Sequence, residues 1–279
     1  MPYGRPDTAA PPLAPLDGDG APGVLPKIPG PWGEPPSVDA FEPLSRASER
    51  THLAGGALNA AATAAALAWL VRHRDVARER PLAPAGAVVA GTFVADFVSG
   101  TLHWAFDTWF DEGVEPLRRM VYIVREHHMR PARIFQYRLR DEAGLLSWFG
   151  LALSAPLYAA AMAPGGRPTP ARVACAAAGV TMTSEIVLML EFHKYGHRLR
   201  RGRLARSLQR AGLLLSPEKH LQHHSGDHDT NYCLVTGIAD QTLGRMGAFR
   251  AMERAVTRVT GAQPRRDDLQ WSARYGRPR

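Results

Sequence analysis

Four long apolar stretches, each bounded by charged residues or proline, limit what this chain can fold into more than any other feature. Ala54–Val71 reads AGGALNAAATAAALAWLV and is followed by Arg72, His73 and Arg74. Residues 84–106 contain AVVAGTFVADFVSGTLHWAF, residues 145–163 read LLSWFGLALSAPLYAAAMA, and residues 170–192 read PARVACAAAGVTMTSEIVLMLEF. At a rise of about 1.5 Å per residue, roughly 20 helical residues span about 30 Å, the thickness of a bilayer's hydrocarbon core. Alanine is only mildly apolar, so a soluble protein with alanine-rich buried helices is the competing reading. Four such stretches in 279 residues favour membrane spans. The expected fold is all-α: a multi-pass membrane protein with about four transmembrane helices.

The flanking regions differ in kind. Residues 1–45 hold 12 of the 23 prolines and six glycines, with almost no apolar periodicity. Such a segment cannot bury enough surface to offset its ordering entropy, so it reads as a disordered Pro-rich tail, with one membrane domain over 46–279. It lacks a basic start, an apolar stretch and a small-residue cleavage site, and so does not read as a signal peptide. Two cysteines, Cys175 and Cys233, exclude a disulfide framework and a cysteine-based zinc ribbon. Of the 34 basic residues only Lys27, Lys194 and Lys219 are lysine, a bias expected of a GC-rich bacterial genome and so of a bacterial cell membrane. The net charge of +8 fits nucleic acid or anionic lipid alike; the spans make lipid headgroups the simpler partner, and no nucleic-acid partner is expected.

Charge also orients the spans. The 107–144 loop carries seven arginines and the region from His193 onward 17 Lys or Arg, against four in loop 72–83 and one in 164–169. The positive-inside rule then puts the 107–144 loop and the C-terminal region 193–279 in the cytoplasm. Two acids, Asp96 and Glu185, fall inside spans, where an ionisable group faces a cavity or a partner.

Nine of the eleven histidines lie in four clusters on that expected cytoplasmic side. His103 opens H-W-x-x-D with Asp107; His127 and His128 close R-E-H-H; His193 and His197 form H-K-Y-G-H. His220, His223 and His224 form H-x-x-H-H, with His228 after them in H-D-T-N-Y-C. On a helix, residues i and i+4 share a face about 5–6 Å apart, so His103/Asp107, His193/His197 and His220/His224 can each aim two ligands at one ion, with His223 expected to join His220. His52 and His73 stand alone at the ends of the first span and read as interfacial. A lone H-x-x-x-H usually means nothing, and a basic loop can collect solvated histidines. Four clusters on one side point instead to a shared site at the membrane surface.

One ion takes three to six ligands, so eight or nine imidazoles suffice for two, whereas a single tetrahedral zinc leaves half unexplained. Iron suits such a site because activating O₂ requires redox electrons that zinc cannot supply. The matching target is an unactivated C–H bond of a lipid chain. A dizinc hydrolase would normally use bridging carboxylates, for which Asp107 and Glu126 are the obvious candidates.

At these residues the chain resembles the membrane lipid desaturases of the plasmanylethanolamine desaturase (CarF-like, Kua) family. The strings are ADFVSGTLHWAFDTW, REHH, FHKYGH, SPEKHLQHH, HDTNYCLVTG and, at 260–271, TGAQPRRDDLQW. The resemblance implies a di-iron enzyme that uses O₂ and two electrons to desaturate a lipid chain, making a vinyl ether from an alkyl ether in plasmalogen synthesis. It implies iron ligation by His103, His127, His128, His193, His197, His220, His223 and His224. Asp107 and His228 follow as catalytic or ligand candidates. No flavin or haem motif is present, so the electrons are expected from a separate cytochrome b5- or ferredoxin-type donor.

The chain also departs from the family. Where the ether-lipid enzymes carry His-Asp-Phe and an Asn-Gly, this one reads FQYRLRDEAGLL, with Tyr137 in place of the histidine. RAGLLLSPEKH and NYCLVTG look like the plant plastid enzyme that desaturates an acyl chain of phosphatidylglycerol, while His228 favours the ether-lipid branch. An acyl-lipid desaturase or hydroxylase is therefore one rival, and a non-catalytic metal-binding membrane protein the other.

Overall fold

The computed structural model describes residues 46–110, 118–129, 131–198, 202–225 and 228–265. The tail expected over 1–45, the side chain of Glu126 and residues 266–271 of the C-terminal match lie outside the described residues. Helices account for nearly all the regular structure. They are α1 (Arg46–Arg72), α2 (Arg74–Glu79), α3 (Leu82–Thr108), α4 (Arg118–Met129), α5 (Leu139–Met162), α6 (Pro170–Val187), α7 (Met189–His197), α8 (Arg203–Arg210), α9 (Pro217–His223) and α10 (Ala248–Thr260). A 3-10 turn covers Pro131–Gln136 and a single wide turn covers Asp240–Gly244. Among the described residues there is no β-strand.

Three helical stretches are long and apolar enough to cross a membrane: Glu49–Arg72, Leu82–Thr108 and Ala143–Met162. The fourth expected span, 170–192, is not one straight helix: α6 and α7 meet at 56°. Neither Pro nor Gly marks the break. Leu188 sits in the bridge region (φ −93°, ψ 5°), its N–H closing the last turn of α6 on Ser184 (3.0 Å) while its carbonyl accepts from Glu191 N–H (2.9 Å) to start α7. Helical bonding is handed over within one residue, and no residue type announces it. The start of α6 is plainly signalled: Thr169 caps Arg172 N–H (3.3 Å) and Pro170 fills the first turn, where its missing N–H costs nothing.

The bundle is α3 and α5 packed on α6, with α1 laid against α5 and α6. Small residues set the spacing. A Cβ on Gly91 of α3 would lie 2.8 Å from the Ala178 carbonyl, and one on Gly150 of α5 would lie 2.5 Å from Thr183 Oγ1. Helix association in lipid depends on such close backbone approach together with polar pairs. Thr183 donates to Asn59 (2.8 Å) and Thr63 pairs with Tyr158 (3.3 Å), each tying α1 into the bundle. Glu185 accepts from Thr92 Oγ1 across the α3–α6 contact (2.9 Å).

At the far end of α3, α10 lays Phe249, with Met252 and Val256, against Trp104, Tyr232 and Cys233. Between α9 and α10 the chain runs beneath α3 as the segment 228–239. The C-terminal end of α3 is closed by Arg265, whose guanidinium donates to the carbonyls of Phe106 (2.9 Å) and Asp107 (2.7 Å) while its own N–H reaches Thr108 (2.7 Å). Last-turn carbonyls have no partner within their own helix, and a basic side chain is a usual one.

Candidate metal centre

The end of α3, α4, α7 and α9 bring nine donor side chains together in two groups. His127, His193, His197, His220 and His224 form one; His103, Asp107, His128 and His223 form the other. Within each group one donor atom per residue lies within 4.8 Å of all the others. His228 belongs to neither and stacks on His128, with ring centroids 4.0 Å apart and planes 18° apart.

Helical geometry explains the division. The i, i+4 pairs keep to one group as their shared face requires: His103 with Asp107, His193 with His197, and His220 with His224. Adjacent histidines point about 100° apart around a helix. Each His-His doublet is therefore split, His127 from His128 and His223 from His224. The expectation that His223 joins the face of His220 is corrected by the same geometry. His224 lies about 40° to one side of His220 and His223 about 60° to the other, so His223 turns to the second group.

In the five-imidazole group the Nε2 atoms crowd together. His220 Nε2 lies 2.8 Å from that of His193, 2.6 Å from that of His197 and 3.0 Å from that of His224. His197 and His127 approach to 3.1 Å. A neutral imidazole has one N–H, so His220 Nε2 can donate to one neighbour at most. As donor or as acceptor it satisfies one of the three contacts, and the rest crowd like groups together; with every Nε2 unprotonated, a cation among the lone pairs relieves the crowding. The Nδ1 atoms of His127, His220 and His224 are buried and have no hydrogen-bond partner among the described residues.

The second group is built differently. Asp107 Oδ2 stands 3.5 Å from His103 Nε2 and 3.7 Å from His223 Nε2, with Oδ1 3.7 Å from His128 Nε2. The far ring nitrogens of two members are held by backbone: His103 Nδ1 donates to the Tyr232 carbonyl (3.0 Å) and His223 Nδ1 to the Thr230 carbonyl (2.8 Å). A carbonyl only accepts, so both rings carry their proton on Nδ1 and turn an Nε2 lone pair toward Asp107. Such outer bonds fix the tautomer and aim of metal-binding imidazoles. The carbonyls come from a strained stretch. His228 (φ 53°) and Asn231 (φ 54°) both adopt left-handed backbone, at a cost of about 1–2 kcal/mol for a non-glycine residue.

Burial prepares the donors. His127, His128, His220, His223 and His224 all have pKa values well below the ordinary 6.5, from burial first and then from the neighbouring imidazoles. They are neutral at pH 7, the form that binds metal. The residues therefore fit metal ions on two counts: convergent neutral lone pairs, and one carboxylate to offset cationic charge.

Several residues that serve the site were not assigned from sequence. Asp96, flagged only as an acid within a span, accepts backbone N–H groups from Val235 (3.2 Å), Thr236 (2.7 Å) and Gly237 (3.0 Å) on one oxygen and from Ala239 (2.9 Å) on the other. Lys194, between two of the histidines, bonds Glu191 (2.6 Å) and the carbonyl of Tyr137 (2.9 Å), fastening α7 to the chain that follows α4. Tyr137, the residue that departs from the ether-lipid pattern, thus contributes a backbone acceptor. Arg265 holds the carbonyl of Asp107, and its only signal was its place in the TGAQPRRDDLQW string.

A membrane helix bundle with a buried histidine cluster at one end defines the class of protein. The lipid desaturase domain family matches residues 92–267, and the chain belongs to that family. Plasmanylethanolamine desaturase of Myxococcus xanthus is 31% identical over 184 residues, 66% of this chain and 64% of that protein. Plasmanylethanolamine desaturase 1 of Mus musculus is 30% identical over 194 residues, 66% of this chain and 69% of the mouse protein. Fatty acid desaturase 4, chloroplastic, of Arabidopsis thaliana is 28% identical over 186 residues, 66% of this chain and 55% of the plant protein. The match thus spans less than two thirds of the bacterial and plant relatives. No solved structure matches the chain.

Proposed function

We propose that this protein is an O₂-dependent oxidoreductase that desaturates a membrane lipid, using two iron ions held by the nine clustered donors. The observation that carries the reading is the pair of adjoining donor groups, five imidazoles and three imidazoles with a carboxylate. His127, His193, His197, His220 and His224 would hold one ion; His103, Asp107, His128 and His223 would hold the other. Iron bound there supplies the redox chemistry with O₂ that no side chain can perform. In the net reaction, a CH₂–CH₂ unit, O₂, two electrons and two protons give CH=CH and two waters. The electrons come from a separate donor protein of cytochrome b5 or ferredoxin type.

The protein's own groups do the rest. The Thr230 and Tyr232 carbonyls aim His223 and His103, Asp107 places negative charge against three imidazoles, and burial keeps water from the donors. His228, stacked on His128, buttresses that ring. The donor groups sit at the end of the bundle where α3 finishes and α5 begins, the end that carries the arginine-rich chain, so the site faces the cytoplasm under the positive-inside rule.

The leading substrate is a plasmanyl (alkyl-ether) phospholipid, desaturated at carbons 1 and 2 to a vinyl ether. This rests on His228 and on the names of the bacterial and mouse relatives. Tyr137 and the plant relative favour the second reading, an acyl chain on the same scaffold. The test is lipid mass spectrometry on cells expressing the protein and supplied with alkyl-ether lipid, against His223→Ala/His224→Ala, which takes one donor from each group. Ether lipids two daltons lighter that release aldehyde in acid, only with intact histidines, support the first reading. The same loss confined to acyl chains supports the second. No lipid change, with iron and a working reductase present, overturns both.

A further inference from the structure

We propose that Asp96, deep in α3 and remote in sequence from every histidine of the C-terminal clusters, is a positioning residue for the four-donor group. Its carboxylate is fully buried and collects four backbone N–H groups from Val235–Ala239. One turn further along α3, Ser99 Oγ accepts from Leu234 N–H (2.9 Å). Asp240 continues the same clasp, its two oxygens accepting from Tyr232 N–H (3.2 Å) and Cys233 N–H (2.8 Å). Every backbone N–H of the segment from Tyr232 to Gly237 is therefore held by one of three side chains.

The segment so held carries the Tyr232 carbonyl that orients His103, and it directly continues the one carrying the Thr230 carbonyl that orients His223. The left-handed backbone of His228 and Asn231 on either side of Thr230 persists only where the surroundings over-determine it, and the clasp supplies that restraint. No histidine of the five-imidazole group bonds to this segment among the described residues. Among the described residues its hydrogen-bonded links to the stretch are indirect: Leu215 N–H donates to the Val235 carbonyl (2.8 Å) at the entrance to α9, and Asn231 Nδ2 donates to Gln222 Oε1 (3.2 Å) within that helix. The two donor groups therefore depend unequally on Asp96.

The inference rests on the metal reading for one of its two readouts only. Full-length wild type, Asp96→Asn and Ser99→Ala are purified in detergent, stripped of metal and titrated anaerobically with Fe(II). Asparagine keeps the shape but sets an amide NH₂ against at least one of the four N–H donors. Wild type is expected to take two ions, and Asp96→Asn to hold the first while the second weakens about 10–100-fold, the usual cost of losing an outer-shell partner. Ser99→Ala, which removes the bond from Leu234 N–H and the hydroxyl's own bond to the Asp96 carbonyl (2.7 Å) but leaves the carboxylate, shifts the second ion in the same direction by less. Equal weakening of both ions, or wild-type titration of Asp96→Asn, overturns the proposal. If Asp96→Asn does not accumulate, the pattern in Ser99→Ala decides.

The second readout needs no metal: ¹⁵N NMR of the imidazoles in the stripped protein. Loss of the Nδ1–H tautomer at His103 and His223, with His220 and His224 unchanged, supports positioning, and unchanged tautomers at all four overturn it. A wild type that takes up no Fe(II) sinks the metal reading while leaving this result to judge the clasp.

Discussion

The two donor groups lie side by side and share both His-His doublets, yet they are built on different principles. The five-imidazole group comes from α4, α7 and α9 and contains no carboxylate; His127, His220 and His224 lack outer partners on Nδ1 among the described residues. The four-donor group takes two members from α3, includes Asp107, and has two imidazoles pinned by carbonyls of a clasped segment. The first owes its geometry to crowding between short helices. The second owes it to hydrogen bonds anchored in a transmembrane helix. An anionic oxygen donor favours the higher charge of an oxidised ion, whereas neutral imidazoles leave that charge uncompensated. Two ions held there would be inequivalent, the four-donor position being the more rigid and the better suited to ferric iron.

The strongest way to break this contrast is Asp107→Asn, which keeps the shape and removes the only charge. Turnover is expected to fall roughly 100-fold or more, at or beyond the upper end of what loss of a supporting partner costs. Metal titration separates the cause. The five-imidazole position should fill as in wild type while the other weakens. If both weaken alike, the groups are one site and the contrast is mistaken.

Acid probes what the groups share. The buried histidines have depressed pKa values, so as pH falls below about 6.5 the unfolded chain takes up protons that the folded, metal-free chain refuses. Stability is therefore full above that pH and is lost progressively below it, each such histidine steepening the loss. The stripped protein should unfold markedly more easily at pH 5.5 than at 7.5, with His224→Ala reducing the slope by one histidine's share. A flat profile would mean that the imidazoles are open to water.

A smaller, one-sided loss is expected at Arg265. Its guanidinium holds the carbonyls of Phe106 and Asp107, and charge-assisted bonds of this kind contribute roughly 1.5–3 kcal/mol. Arg265→Ala should lower the unfolding midpoint and weaken metal only in the group containing Asp107, as followed by thermal unfolding with and without Fe(II). Arg265→Lys keeps the charge and loses the fork, and should recover part of each effect.

How far these features could be read in advance differs between the groups in the same way. Within the five-imidazole group two pairs were legible because they rest on short-range spacing: His193/His197 and His220/His224 share faces by helix periodicity alone, whereas the place of His127 beside them was not. The i, i+4 pair His103/Asp107 was legible for the same reason. What supports that pair was not, because Asp96 meets N–H groups some 140 residues away in sequence, and no spacing rule records such a contact. Apolar length marked the three straight helices and the stretch of α6 and α7, but the bend at Leu188 left no trace. It arises from a change of backbone bonding within VLMLEF, a string that would continue as a helix elsewhere. The split of each His-His doublet was implicit in the 100° step of a helix. It became visible only with a partner group on each side.

The smallest expected effect sharpens the contrast from outside both groups. His228 stacks on His128 yet belongs to neither, so its expected action on the four-donor group is to hold that ring in place. His228→Asn suits the left-handed backbone at this position, since asparagine tolerates positive φ, and it removes the stack without straining the chain. Both ions should still bind, with the one beside His128 weakened only a few-fold, because His128 remains within 3.1 Å of His223 and faces Asp107. Loss of that ion altogether would make His228 a ligand, and the four-donor group a five-donor one. Unchanged binding together with a shift between ether and acyl products would make it a substrate contact. Either result would redraw the boundary between the groups at the residue where the ether-lipid and plastid patterns diverge.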